Sequence, residues 1–163
     1  MTLYYINVTI HILAAFVWVG GMLFLGVVAA PAMKGLDPKV RGEVFTKIGL
    51  AFRPVGWTAI AILLTTGVLN LHFGNILSWQ LLGSMQFWTS NYGISLTLKI
   101  ASVITIVVGS LIHDFSLGPH FANLDPNSDE ATVLRNRTKV VGRINGVLAI
   151  VIILTAIRLA RGL

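Results

Sequence analysis

YINVTIHILAAFVWVGGMLFLGVVAA, residues 5–30, decides the fold of this 163-residue chain because it contains no charged side chain. A helix crosses the hydrocarbon core of a bilayer with about 20 mainly apolar residues, so this stretch predicts a transmembrane helix, which we expect Pro31 to end. Residues 54–73, 92–113 and 142–160 predict three more spans. The chain is 55% hydrophobic and 11% charged, whereas soluble domains carry about 25% charged residues. We predict an all-α integral membrane protein: one domain over residues 1–163, folded as an antiparallel up-down four-helix bundle.

The charges predict the orientation of these spans. Twelve Lys and Arg residues against six Asp and Glu give a net charge of +6. Nine basic residues lie in the first connection and around the third: Lys34, Lys39, Arg41, Lys47, Arg53, Arg135, Arg137, Lys139 and Arg143. Residues 74–91, the second connection, carry no charge. The positive-inside rule therefore places both termini on the outer, periplasmic side of a bacterial or archaeal cytoplasmic (inner) membrane.

This charge pattern also bears on function. Nucleic-acid binding requires a basic face with exposed aromatic side chains, and basic residues confined to the connections do not provide one. The chain has no Cys, which excludes disulfides, thiolate metal sites and cysteine nucleophiles. The lipid bilayer is therefore the first partner that the sequence predicts.

Ionisable side chains inside the spans are the candidates for function. Counting residues places His11 about 10 Å and Lys99 about 6 Å outward from the middle of their spans. His72 lies near the outward end of the second span, and His113 lies at the cytoplasmic end of the third. A charged side chain in the membrane costs at least about 2.5–3.5 kcal/mol, and no carboxylate lies deep in a span. Lys99 therefore snorkels to the headgroups, deprotonates to act as a ligand, or pairs with an acid from outside the chain, such as a haem propionate.

Helical spacing predicts which faces carry these groups. Residues three, four or seven apart share a face of a helix. The third span has one polar stripe: Tyr92, Ser95, Lys99, Ser102, Ser110 and His113. The first span groups His11 with Asn7, Trp18 and the small residues Gly20, Gly21 and Gly26, which allow close helix approach or a planar ligand. Thr66 and Asn70 share a face of the second span, whereas His72 lies about 200° from Asn70 and is expected at the membrane interface.

These groups predict a metal centre, of copper or haem b, in the outer half of the bundle. Neutral imidazole is the commonest metal ligand, so the candidate ligands are His11, Lys99 and His72. Asn70, Tyr92 and Trp18 are candidates for orienting the site, and His113 is a weaker candidate ligand. A hydrogen-bonded packing role is the alternative for His11. His120 is expected to be solvated, residues 124–131 form a polar loop, and no catalytic residue is predicted.

Three motifs in this order resemble the copper-resistance D (CopD) family of bacterial membrane domains. They are HILAAFVWVGG at residues 11–21, TTGVLNL at 65–71 and NYGISLTLK at 91–99. The resemblance extends from about residue 7 to residue 109. It implies copper uptake or tolerance, often with a periplasmic copper-binding partner. Soft Cu(I) favours sulfur ligands. This chain has no Cys, and its four Met residues are scattered along the sequence: Met1, Met22, Met33 and Met85.

A more distant resemblance is to the HemJ-type protoporphyrinogen oxidases, whose membrane His and Lys correspond to His11 and Lys99. It implies haem b and a quinone acceptor. Three functions therefore remain open. The first is a metal-centre protein for copper handling or electron transfer, which we favour. The second is a haem-dependent oxidoreductase, and the third is a non-catalytic subunit of a larger membrane assembly such as a respiratory complex.

Overall fold

The computed structural model describes residues 2–117 and 128–161, and in that part of the chain it contains helices and no strand. His120 and residues 124–127 of the predicted polar loop lie outside the described residues. The elements in chain order are α1 (Thr2–Leu23), a π-helical segment (Phe24–Ala29), a helical turn (Ala30–Ala32), α2 (Pro38–Phe73), α3 (Trp79–Leu82), α4 (Met85–Thr89), α5 (Asn91–Ile112), a second π-helical segment (His113–Leu117) and α6 (Asp129–Arg161).

Four helical stretches are long and apolar enough to cross a membrane. They are Thr2–Ala32, Pro38–Phe73, Asn91–Phe115 and Val140–Arg161. Large apolar side chains point outward along them, as at Phe16, which is 78% exposed. Because a soluble protein would bury such side chains and a bilayer solvates them, the predicted all-α membrane class is confirmed.

The helix that contains the second span begins well before residue 54, where the span is predicted to start. α2 is one helix of 36 residues, about 54 Å long at 1.5 Å per residue. It begins at Pro38, where Asp37 adopts an extended conformation and its side chain accepts a hydrogen bond from the Lys39 N–H at 2.9 Å. Pro54 lies inside the helix, where it lacks one backbone donor but does not end the helix. The basic residues of the first connection therefore lie largely on a helical extension.

The end of the first span differs slightly from the prediction that Pro31 ends it. Helical backbone continues through Pro31 to Ala32, after the widened π-helical segment in which the Ala30 N–H donates to Leu25 O. The Met33 N–H then donates to Ala29 O at 3.2 Å. Proline is tolerated at the start of a new helical turn because its missing N–H is not needed there.

The chain forms two compact units, Met1–Gly83 and Ser84–Leu163. In the first unit α1 packs against α2 as an antiparallel hairpin. Asn7 near the start of α1 contacts Thr66 near the end of α2, and Gly21 near the end of α1 faces Phe52. In the second unit α5 packs against α6, with Ile106 fully buried. The assignment of both units to a single domain stays a prediction.

Close helix approach in the first unit depends on one of the three predicted glycines. A Cβ placed on Gly21 would overlap the Phe52 ring, so the ring of Phe52 packs directly on Gly21. Among the described residues nothing lies within 4 Å of a Cβ placed on Gly20 or Gly26. Of the two predicted roles, close helix approach therefore applies to Gly21, whereas room for a planar ligand stays a prediction for Gly20 and Gly26.

The start of α5 is built around Gly93. The Ser90 hydroxyl accepts a hydrogen bond from the Gly93 N–H at 3.1 Å and donates one to Phe87 O at 2.6 Å. This double contact folds α4 tightly against the first turn of α5. A Cβ on Gly93 would overlap the Phe87 carbonyl oxygen and lie 2.9 Å from the Trp88 Cα. The backbone itself therefore requires glycine at this position.

We expect the Gly93→Ala substitution to lower the free energy of unfolding by about 1–3 kcal/mol, the usual cost of overpacking. Thermal unfolding of the detergent-purified protein, followed by circular dichroism, measures this change. Gly146→Ala in α6 is the matched control, because nothing among the described residues lies within 4 Å of its added Cβ. Equal melting temperatures for the two variants would contradict the proposed backbone contact.

The predicted orientation is testable because the chain contains no Cys. Gln80 in the uncharged second connection and Glu43 on the extension of α2 are both exposed. We expect a membrane-impermeant maleimide to label Gln80→Cys in intact cells and Glu43→Cys only after the cells are permeabilised. The reverse labelling pattern would show that the positive-inside prediction is wrong.

Candidate metal centre

A network of polar side chains joins α1 to α2 near the predicted outer end of the first unit. Asn7 is 6% exposed. Its Nδ2 donates to the Thr66 backbone carbonyl at 3.0 Å and to Asn70 Oδ1 at 2.8 Å. Both amide hydrogens of Asn7 therefore have acceptors, as a buried amide requires where water is absent.

His11 joins the same network through Thr66. The distance between His11 Nδ1 and Thr66 Oγ1 is 2.7 Å, and Thr66 Oγ1 lies 2.6 Å from Ile62 O. A hydroxyl has one hydrogen and a carbonyl oxygen can only accept. Thr66 therefore donates to Ile62 and accepts from His11, which places the ring hydrogen on Nδ1. In the neutral ring, Nε2 then carries the lone pair that a metal would use.

The register of the hairpin produces this arrangement. His11 follows Asn7 by four residues, and Thr66 precedes Asn70 by four residues. In antiparallel helices these spacings bring both pairs together, since residues four apart lie on one face. Gly67 lies against the ring, because a Cβ there would be in ordinary van der Waals contact with His11 Cε1 at 3.7 Å. The first unit thus holds His11 in one orientation against α2.

Trp18 shares the face of His11 but lies about 10 Å further along α1. It is 5% exposed, and its Cδ1 lies 3.9 Å from the position of a Cβ on Gly56. This is the geometry of an aromatic ring packed over a glycine of the neighbouring helix. In the first unit Trp18 therefore packs the hairpin at a distance from His11, and its predicted orienting role stays a prediction.

His72 lies apart from these hydrogen bonds. Its side chain is exposed in the last turn of α2, beside Phe73 at a ring-centroid distance of 5.9 Å. Asn70 points to Asn7 instead, as the 200° separation of Asn70 and His72 predicts. The geometry agrees with an interfacial position for His72, and its role as a ligand stays a prediction.

The other candidates belong to the second unit. Ser95 and Ser102 of the predicted stripe are buried, and Lys99 between them is half-buried. Within the described ranges no carboxylate lies within salt-bridge distance of Lys99. The Tyr92 ring lies 6.1 Å from the Phe87 ring, measured between centroids. His113 Nδ1 lies 2.9 Å from Asp114 Oδ1, so this weaker candidate pairs with its neighbouring acid at the end of the span.

The available donors limit which metal site His11 could join. Within residues 2–117 and 128–161, no three His, Asp or Glu side chains lie close enough together to hold a metal ion. The neighbours of His11 in the network offer amide and hydroxyl oxygens, which are hard donors that copper does not favour. His11 could therefore serve as one imidazole ligand to a group that brings its other ligands with it.

Sequence reasoning did not select Thr66 as a site residue, although it placed Thr66 and Asn70 on one face. The signal that could have identified it is the matching four-residue spacing in two consecutive spans. Polar pairs four apart on neighbouring antiparallel helices can satisfy each other at one register only. Comparing the two spacings makes the pairing of His11 with Thr66 one candidate register, which the structure then selects.

Comparison with known protein families identifies the family of this chain. Residues 47–159 match the family described as Copper resistance protein D. The chain belongs to the CopD family. It is therefore a multi-pass inner-membrane protein related to copper resistance. The match begins after His11 and ends beyond residue 109, so it includes the α2 half of the polar network and excludes the α1 half.

A second comparison covers nearly the whole chain. An uncharacterized protein of Aquifex aeolicus (strain VF5) is 27% identical over 154 residues, which are 94% of this chain and 92% of that protein. No solved structure matches. The similarity to the Aquifex protein includes α1, which the family match omits.

The contact between His11 and Thr66 can be tested by replacing Thr66. Thr66→Val keeps the shape but removes the acceptor for His11 Nδ1, so we expect ¹⁵N chemical shifts of the ring to change from one tautomer to a mixture. Removing such a membrane hydrogen bond costs on average about 0.6 kcal/mol, which predicts a small fall in melting temperature. Thr66→Ser retains the hydroxyl and should preserve the tautomer. A single Nδ1–H tautomer in Thr66→Val would contradict the assignment.

Proposed function

We propose that this CopD-family protein binds haem b in the predicted outer half of the membrane, that His11 would hold the haem through Nε2, and that the protein transfers electrons. The observation that carries the proposal is the contact between His11 Nδ1 and Thr66 Oγ1. In metal-binding histidines, the ring nitrogen that does not bind the metal characteristically donates a hydrogen bond. This hydrogen bond fixes the tautomer and the direction of the ring. When bound, haem iron would supply one-electron redox chemistry.

The donor set favours haem over a protein-bound copper ion. A porphyrin supplies four ligands to its iron and asks the protein for one or two axial ligands. Copper sites take several soft or imidazole ligands from the protein, and this chain has four His and no Cys. One imidazole, that of His11, beside amide and hydroxyl groups therefore fits the needs of haem better than those of copper.

The residues around His11 have separate tasks in this proposal. Thr66 keeps the ring in the ligand tautomer. Asn7 and Asn70 hold α1 at a fixed register on α2, so that the Nε2 position does not vary. Apolar side chains of the two helices, including Ala14 and Ile60, are buried and would help to exclude water from the hairpin interior.

Family membership favours a second candidate, a copper ion as the bound metal. Copper would be cargo or an exchangeable ligand, with His11 as one of its donors. The same purified protein distinguishes the two candidates, because haem has an intense Soret band and copper is counted by elemental analysis.

The decisive experiment is a visible absorption spectrum of the detergent-purified protein, oxidised and reduced, together with metal analysis. We expect a Soret band and reduction-sensitive bands, with the haem content of His11→Ala reduced at least tenfold. His72→Ala is the matched control, since it removes an imidazole that lies outside the network. Its spectrum should equal that of the wild type.

Other outcomes separate the alternatives. Copper without a Soret band, lost in His11→Ala, would replace haem by copper. A colourless protein free of iron and copper would overturn the proposal. Loss of haem in His72→Ala with retention in His11→Ala would transfer the ligand role to the interfacial histidine.

A further inference from the structure

The Ser95 side chain in α5 is buried without a hydrogen-bond partner among the described residues. Its residue is 1% exposed, and Oγ has no hydrogen-bond partner among the described residues. Hydroxyls in membrane helices usually donate to the carbonyl one turn earlier. Thr97 donates to Gly93 O at 2.8 Å in this way, and Thr105 donates to Ala101 O at 2.9 Å. Ser95 therefore points its hydroxyl away from its own backbone.

Lys99 lies one turn further along the same face. Residues four apart on a helix have their Cβ atoms about 5–6 Å apart. Side chains on a helix also lean toward its N-terminus, a direction that would bring the stem of Lys99 toward the turn that contains Ser95. Lys99 is half-buried, and within the described ranges no carboxylate pairs with it. The two side chains thus present a buried hydroxyl donor beside a cation.

Both groups need the same kind of partner. A buried polar group without a hydrogen bond and a buried charge without an opposite charge are each costly in a medium of low dielectric constant. An ammonium group has three donors and no acceptor, a hydroxyl has one donor, and a carboxylate offers two accepting oxygens. One carboxylate therefore satisfies Lys99 and Ser95 together, by charge-assisted hydrogen bonds.

The depth of the pair selects the class of ligand. Ser95 and Lys99 lie about 6 Å and 12 Å along α5 from its start at Asn91, below the level of the helix end. A carboxylate at this depth must be attached to an apolar body that remains in the hydrocarbon. We propose that Ser95 and Lys99 bind the carboxylate of a membrane-soluble amphiphile, such as a fatty acid or a porphyrin that bears propionates.

The first test uses [1-¹³C]palmitate as the probe and the full chain in phosphatidylcholine nanodiscs. We expect a saturable, shifted carboxyl resonance with the wild type. Its apparent affinity should fall at least fivefold in Ser95→Ala and be lost in Lys99→Met, whereas Lys99→Arg should retain binding. Thr105→Ala is the matched control, because its hydroxyl is exposed and bonded to its own helix.

The second test distinguishes the source of the carboxylate. Haemin and haemin dimethyl ester are titrated into the same variants, because the ester keeps the ring but masks both acids. A propionate ligand predicts at least tenfold tighter binding of haemin than of its ester, and loss of this preference in Lys99→Met and Ser95→Ala. Palmitate binding without a preference for haemin over the ester would identify a simple acyl carboxylate.

The outcomes separate this proposal from the one on His11. His11→Ala should leave palmitate binding unchanged, because the proposed carboxylate site is built from Ser95 and Lys99 of α5, so failure of the haem proposal does not decide this one. The carboxylate site is overturned if palmitate and haemin bind equally to the wild type, Ser95→Ala and Lys99→Met. It is also overturned if neither probe binds the wild type.

Discussion

The hydrogen bonds of Asn7 to Thr66 and Asn70 fix the arrangement of the first unit. Between helices surrounded by lipid the hydrophobic effect contributes little, so packing and interhelical hydrogen bonds set the register. Asn7 has donors that the bilayer cannot satisfy, and only one register of α1 on α2 brings the Thr66 and Asn70 oxygens to it. The same register places His11 beside Thr66 and Gly21 opposite Phe52. The orientation of the His11 ring therefore follows from the hydrogen bonds that Asn7 donates to α2.

Much of the fold could be predicted because its signals are local. The absence of charge over residues 5–30 and the apolar runs at 92–113 and 142–160 predict spans without reference to the rest of the chain. The start of α2 could not be predicted in the same way. Pro54 and the nearby Arg53 resemble a boundary in sequence, but proline removes only one backbone hydrogen bond. Charged side chains are compatible with a helix that continues outside the hydrocarbon.

The candidate site shows the same division between local and non-local information. Helical spacing placed Asn7 with His11, Thr66 with Asn70, and His72 away from Asn70. The pairing of His11 with Thr66 could not be obtained from either span alone, since it depends on the register between them. The glycines illustrate the point further. Gly20 and Gly21 are adjacent in sequence, yet only Gly21 faces the neighbouring helix, and spacing within α1 does not reveal where α2 lies.

The two units differ in whether their buried polar groups have hydrogen-bond partners. This difference is the basis of the two separate proposals. In the first unit Asn7, Thr66 and Asn70 satisfy one another, and the proposed ligand is the neutral ring of His11. In the second unit Ser95 and Lys99 have no partner of this kind within the described chain. A protein with six acids, none of them deep in a span, has no carboxylate of its own to offer Lys99. In the proposed site the anion that pairs with Lys99 comes from a ligand, since an apolar body can carry a carboxylate to that depth.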